Sequence, residues 1–421
     1  MSIHILKKTK IAEFLNFLVV ILLFFGYAFY NILIFSGYIS PFLGSYWVFL
    51  SLVSFLVLLP IGLKEVIRTF VLPSDLLEKV FYVYVLYNLS IYFWYLVITK
   101  PQIFYIDIFV WSMSGLFNTI LMYLIGYTLS IKRSYIIIYT CLFFILFSLL
   151  LISFISSDFT YIAFNPKTID ENLSTYQGIA RSILVISVIL LAYYIENSFF
   201  LTYVIFLLTN LMLFIIGSRT DFVVFIISYI LTLILFRFGY FLKSIILSVV
   251  ILIISVTSFP SFYDLVYNSR IFTLFDLSQN ESYNLRRYYL ASALEKIKES
   301  PIFGDYGFYV FLDGIGSYPH NVFLSAWVNL GVVGFVIMII IYMLLIFNYT
   351  KHVYIFILNK IEKDINIKYY LTLLSLLLYI VTISSIARDY SYMLIGFIIG
   401  VYSKSRKTIF RLRNTTKNFV K

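Results

Sequence analysis

Long apolar blocks, most of them about the length of a bilayer crossing, are separated by short polar punctuation along nearly the whole chain. A membrane-spanning helix needs about 20 mostly apolar residues. Twelve blocks qualify, at roughly 11–35, 42–62, 80–98, 103–130, 135–156, 179–195, 199–216, 221–237, 244–258, 321–348, 369–386 and 391–403, the last being short. Two connections are long, residues 157–178 and 259–320; the second, between the ninth and tenth blocks, is the only extended polar segment. Within it, "NLRRYYLASALEKIKESPIFG" has the pattern of an amphipathic helix ended by Pro301. Leu290, Ala293, Leu294 and Ile297 recur at helical spacing, and Arg286, four residues before Leu290, continues that stripe. Arg287 is offset by one position, and Glu295, Lys296, Lys298 and Glu299 lie mostly off the stripe. No 20–50-residue repeat stands out, and the two halves show no clear likeness. The pattern predicts an all-α polytopic membrane protein. It forms a single integral membrane domain over residues 1–421, with about twelve helices and one large external loop, 259–320, containing an amphipathic helix.

Composition strengthens this reading. The 421 residues are 62% hydrophobic and 12% charged, whereas soluble domains run at roughly 45–50% apolar and about 25% charged. The single cysteine, Cys141, rules out an intramolecular disulfide and a cysteine metal site, and is expected to be a small buried hydrophobe. The basic start "MSIHILKKTKIAEF" is followed by no small-residue cleavage site, so the first block is expected to remain as a span.

A net charge of +11 raises the question of nucleic acid. Topology answers it. With the N-terminus on the cytoplasmic side, 21 of the 31 basic residues and 7 of the 20 acidic ones fall inside. This split fits twelve spans with both termini cytoplasmic, and attraction to anionic lipid heads accounts for the rest. Nucleic acid is not an expected partner; membrane lipid is.

The basic residues left outside run against that bias. Arg181 opens the sixth span, Arg219 lies in "IIGSRTDF" between spans seven and eight, and Arg388 lies in "IARDYS" between eleven and twelve. Each also fits an interfacial anchor that snorkels to the headgroups. Arginines from separate segments converging on one anion would suit a diphosphate, because guanidinium is a planar fork that stays charged. The large loop is rich in aromatics, Tyr288 among them, which suit either a bilayer interface or the stacking of sugar rings. His320, in "SYPHNVF", stands at the external mouth of the tenth span, where a neutral imidazole can accept a proton. His4 and His352 are expected to be solvated and far from it, so a histidine metal site is not expected.

These residues resemble the signature of the bacterial O-antigen polymerase (Wzy type) and O-antigen ligase family. Arg286, a short helix, Pro301 and Gly304, then His320–Asn321 opening a span with Gly331 and Gly334, are similar to its main motif, and "GSRTDF" with Arg219 is similar to its second. The turn "GDYG" is one residue longer than the family's usual Gly-X-Gly. The resemblance implies a GT-C-like membrane glycosyltransferase of the bacterial inner membrane, with a periplasmic site, no metal and no cofactor. Its substrates would be undecaprenyl-diphosphate-linked glycan donor and acceptor, and a chain-length regulator protein is a candidate partner. The implied catalytic residues are His320 as base and Arg219 and Arg286 on the diphosphate. Arg287, Asn321, Arg181, Arg388 and Tyr288 are candidates for substrate binding. The first external stretch, "SGYIS", carries no acid, which does not suit a metal-and-aspartate mechanism placed there. Polymerase is the preferred reading. A ligase, which transfers the glycan to lipid A core, and a lipid-linked oligosaccharide flippase are the alternatives; the long loop and His-Asn signature weigh against the flippase.

Overall fold

In the computed structural model the described residues are 2–39, 49–60, 75–95, 106–159, 161–162, 176–258, 281–308, 312, 319, 321–358, 365–385 and 394–407. Among the described residues the apolar blocks form helices. Helix α1 (Ser2–Val20) runs through a π-helical stretch (Ile21–Gly26) into α2 (Tyr27–Phe35). There follow α3 (Phe49–Pro60), α4 (Leu76–Trp94), α5 (Ile106–Thr128), α6 (Arg133–Ser156) and α7 (Tyr176–Asn197). Next come α8 (Phe199–Ile216), α9 (Arg219–Phe236), α10 (Phe238–Ser258), α11 (Glu281–Glu299), α12 (Val322–Leu358), α13 (Ile365–Ser385) and α14 (394–407). Eight helices among the described residues are long and apolar enough to cross a membrane: Ile11–Phe35, Arg133–Ser156, Tyr176–Asn197, Phe199–Ile216, Arg219–Phe236, Phe238–Ser255, Val322–Tyr354 and Asn366–Ile383. The other four expected spans fall on α3, α4, α5 and α14. The chain is an all-α polytopic membrane protein.

Side-chain contacts sort the helix ends into two sets, as an alternating path through a bilayer requires. At one end Ser36 donates to Ser153 at 2.8 Å, and the rings of Tyr161 and Phe214 lie 5.4 Å apart. At the other, Lys132 pairs with Glu13, Arg237 with Glu196 at 2.6 Å, and Arg406 with Asp75 at 3.2 Å. Asn197 donates to Tyr369 there at 2.9 Å. This second end is the one that the charge bias assigns to the cytoplasm. His352 belongs to it and is buried rather than solvated, its ring stacked on Tyr402 at 4.9 Å. Tyr402 in turn donates to Asp75 at 2.5 Å. Cys141 is another departure: it is exposed on α6, facing out from the bundle among apolar neighbours.

The centre is built from α7, α13 and α14. Of the α7 span 83% is buried, against 6% for α10 at the rim. Helix α14, although short, is buried along nearly all its length because it meets α5 backbone to backbone. In lipid, helices gain little from hydrophobicity alone, and small residues permit the close approach that makes van der Waals packing effective. A Cβ on Gly400 would lie 2.2 Å from the Tyr123 carbonyl oxygen, and one on Gly396 would lie 2.2 Å from that of Thr119; Gly126 meets Phe397 O in return at 2.3 Å. Gly400→Val is therefore expected to cost about 1–3 kcal/mol or more, as overpacking does. Gly239→Val, where a Cβ meets nothing within 4 Å, should cost nothing measurable. Thermal unfolding of the two variants in detergent checks the difference; equal midpoints would show that the contact is not tight.

Candidate active site

The corner between α8 and α9 positions Arg219. Gly217 takes the left-handed conformation (φ 79°, ψ 23°) that ends α8, and the N–H groups of Gly217 and Ser218 both return to the Leu213 carbonyl at 3.1 Å. Ser218 is fully buried, and its hydroxyl donates to the Asp221 carboxylate at 2.6 Å, in the first turn of α9 where the helix dipole favours negative charge. Arg219 is the first residue of α9 and is half-exposed. Arg181, in the second turn of α7, is half-exposed and donates to Gln177 at 3.3 Å.

Helix α11 lies across the start of α12. Ala293 is fully buried against Val328, flanked by Tyr289, Ile297 and Phe308. Arg286, half-buried with its Nε shielded from solvent, shares this inner face. Leu290 and Leu294, expected on the same stripe, are instead 42% and 48% exposed. The small side chain of Ala293 permits the close approach, and the leucines flank it. Arg287 and Tyr288 point away from α12 and are exposed. Lys296 joins the helix to the following turn by ion pairs to Glu299 at 3.0 Å and Asp305 at 3.1 Å, with its ammonium 5.4 Å from the centre of the Phe308 ring. Burial, the largest influence, lowers the Lys296 pKa, but the hydrogen bonds and charges of Glu299 and Asp305 together hold it above its ordinary value.

The turn after α11 fills a break in α12. Gly331 adopts φ 68°, ψ −171°, dividing α12 into a short arm, 322–330, and a long arm from residue 332. Backbone groups released by the break are taken up by the turn. Val332 N–H donates to Pro301 O at 3.0 Å, and Asp305 N–H donates to Val328 O at 2.6 Å. The Trp327 indole donates to Pro301 O at 3.1 Å. From α4, Tyr87 donates to Leu330 O at 2.9 Å and Tyr95 to Gly304 O, while Tyr306 donates to Asn88 at 3.3 Å. The contact is too close for side chains: a Cβ on Gly331 would fall 1.8 Å from Ile302 O, and one on Gly304 2.5 Å from Val328 O. The longer "GDYG" turn is accommodated because Gly304 and Gly307 both have positive φ and Gly307 N–H donates to the Asn329 side chain at 3.1 Å. Tyr87, Asn88, Tyr95 and Asn329 had no signal in the sequence beyond their place in apolar blocks.

Asn321 caps the short arm, its side-chain oxygen accepting from the N–H groups of Phe323 at 2.9 Å and Leu324 at 3.2 Å. His320, its neighbour in the chain, and Arg388 lie outside the described residues. The structure thus brings Arg181, Arg219, Arg286 and Asn321 to the same end of the bundle, on α7, α9, α11 and α12.

Residues 202–339, which contain the α8–α9 corner, α11, the turn and the break, match the family model described as O-Antigen ligase. Through this segment, about a third of the chain, the protein is similar to the O-antigen polymerase/ligase family. No curated protein matches it. The family is of the membrane glycosyltransferase type, and its substrates are lipid-linked glycans in the membrane. The matched segment carries Arg219, Arg286, His320 and Asn321 and leaves out Arg181 and Arg388.

Proposed function

We propose that the protein is an O-antigen polymerase of the bacterial inner membrane, acting at the periplasmic face on undecaprenyl-diphosphate-linked glycans. The observation that carries this reading is the joining of the matched elements at one helix end. Arg219 starts α9 there, and α11 with Arg286 is locked onto the arm whose cap is Asn321. In this reading Arg219 and Arg286 hold the diphosphate of the donor and stabilise charge as it develops on the leaving group. Arg181, Arg388 and Tyr288 are the further candidates for substrate contact, and Asn321 caps the arm that follows His320 in the chain. A hydroxyl of the lipid-linked acceptor attacks the anomeric carbon of the donor sugar. The new C–O bond forms as the bond to phosphate breaks, and undecaprenyl diphosphate leaves with the electron pair. His320 takes the hydroxyl proton. Direct attack inverts the anomeric centre, and the reaction requires no metal or nucleotide.

The likeness of residues 202–339 to the O-antigen ligase family favours a second reading, a ligase that moves the glycan onto lipid A core. Surface lipopolysaccharide separates the two. Cells lacking a polymerase should still cap lipid A core with a single repeat unit, whereas cells lacking a ligase should show no capping. Complementation with Arg219→Lys or Arg286→Lys should reproduce the single-unit product, because lysine keeps the charge but loses the bidentate fork. Full-length ladders from either lysine variant would remove that arginine from the diphosphate site.

A further inference from the structure

Two helices act as rulers, and both locate the Pro301–Gly304 turn at the outer edge of the hydrocarbon core. Along α12, Gly331 stands twenty residues before the exposed Lys351, and no charged residue lies between them. At 1.5 Å per residue that distance is about 30 Å, the thickness of the hydrocarbon core. Along α4, Tyr95 stands twenty residues after the cap Asp75, and its hydroxyl reaches Gly304 O. The rulers start together: His352, next to Lys351, stacks on Tyr402, which bonds Asp75. They also end together, on the turn wedged into the helix break.

At that height the turn exposes Ile302 (58%) and Phe303 (64%). Directly below, Val333 and Val336 of the long arm are exposed at 42% and 45%, as the lipid face of a span should be. Above, α11 presents Arg287, Leu290, Leu294 and Lys298, spaced by three, four and four residues, as one exposed stripe with a cation at each end. Leucines flanked by long cationic side chains are what a surface-lying helix offers to acyl chains and headgroup phosphates.

We infer that Ile302 and Phe303, with Leu290 and Leu294, form a wedge inserted into the outer leaflet of the protein's own bilayer, with Arg287 and Lys298 on the lipid phosphates. The occupant of this apolar face is phospholipid. The wedge sets the height of α11, and so of Arg286, relative to the membrane, whichever glycan acceptor the protein uses.

Site-directed spin labelling of the full chain tests this. Single cysteines replace Leu294, Ile302 or Phe303 in a Cys141→Ser background, reconstituted in vesicles of phosphatidylcholine and phosphatidylglycerol. Power saturation compares collision with oxygen, which concentrates in lipid, against a water-soluble nickel chelate. Labels at Val336→Cys and Glu295→Cys give the lipid and water references. Positions 294, 302 and 303 should resemble position 336, with the oxygen-to-nickel ratio several-fold above that at position 295. Ratios like that at position 295 would place the wedge in water and overturn the inference. Exclusion of both reagents would also overturn it, showing that a protein surface, from a second copy or elsewhere in the chain, covers the face.

Discussion

Gly331→Val should reduce glycan transfer by at least about 10²-fold while leaving the protein inserted in the membrane, the size of effect expected when catalytic groups are misplaced by an ångström. The backbone at Gly331 combines positive φ with ψ near 180°, a region open essentially to glycine alone, and holding another residue there costs about 1–3 kcal/mol. The added Cβ would also fall within 1.8 Å of Ile302 O, so the turn must withdraw. Withdrawal breaks Val332 N–H to Pro301 O and Asp305 N–H to Val328 O. Buried backbone groups left without partners cost about 1–3 kcal/mol each. The helices of the centre do not depend on this contact, so expression and thermal unfolding should change far less than activity. The measurement is the lipopolysaccharide ladder in cells beside the yield of folded protein in detergent. A Gly331→Val protein with a normal ladder would show that locking the turn into the break is dispensable for the reaction.

His320→Ala is expected to lower turnover by about 10²–10⁴, the usual contribution of a positioned base, with binding of lipid-linked donor retained. The wild-type rate should rise with pH as the imidazole loses its proton. That rise should be absent in His320→Ala. The sign follows from the role: only the neutral ring accepts the acceptor's proton, so acid suppresses the rate. Assays should run in chelator, since activity that disappears there and returns with a divalent cation would point to carboxylates such as Asp305. If His320→Ala transfers glycan at the wild-type rate while Arg219→Lys and Arg286→Lys do not, His320 is an interfacial anchor.

Much of the architecture was legible because a bilayer imposes a length and an apolarity that few residues can disguise. The place of Arg219 was readable for a similar reason, as a connection of a few residues between two apolar runs leaves its residues at helix ends; the left-handed Gly217 that makes the corner was not. What could not be read was the partner of each apolar face. Leu290, Ala293, Leu294 and Ile297 form one stripe by hydrophobicity, yet the structure divides it between protein and surroundings. Ala293 goes inward because Val328 requires a small neighbour, a condition set by a segment thirty-five residues away. Cys141 was misjudged on the same ground, since an apolar residue in a span faces lipid as readily as core. His352 erred in the other direction: a polar residue near a helix end looked solvated, but Tyr402 covers it. Asn321 was expected near the substrate, and its side-chain oxygen is engaged in capping the arm. The break at Gly331 was the least legible element, because "VNLGVVGF" carries no proline and its hydrogen bonds are completed by residues 301–305 and by α4.

The burial of α14 bears on how the protein is made. This helix leaves the ribosome after every helix it packs against, yet it occupies the middle of the bundle. Until it arrives, the Gly126 face of α5 has nothing to meet, and Asp75 and Glu78 lack the guanidinium of Arg406, which later reaches them at 3.2 and 3.5 Å. Insertion of α14 completes the middle of the bundle and is fastened at one end by the Arg406 ion pairs to Asp75 and Glu78.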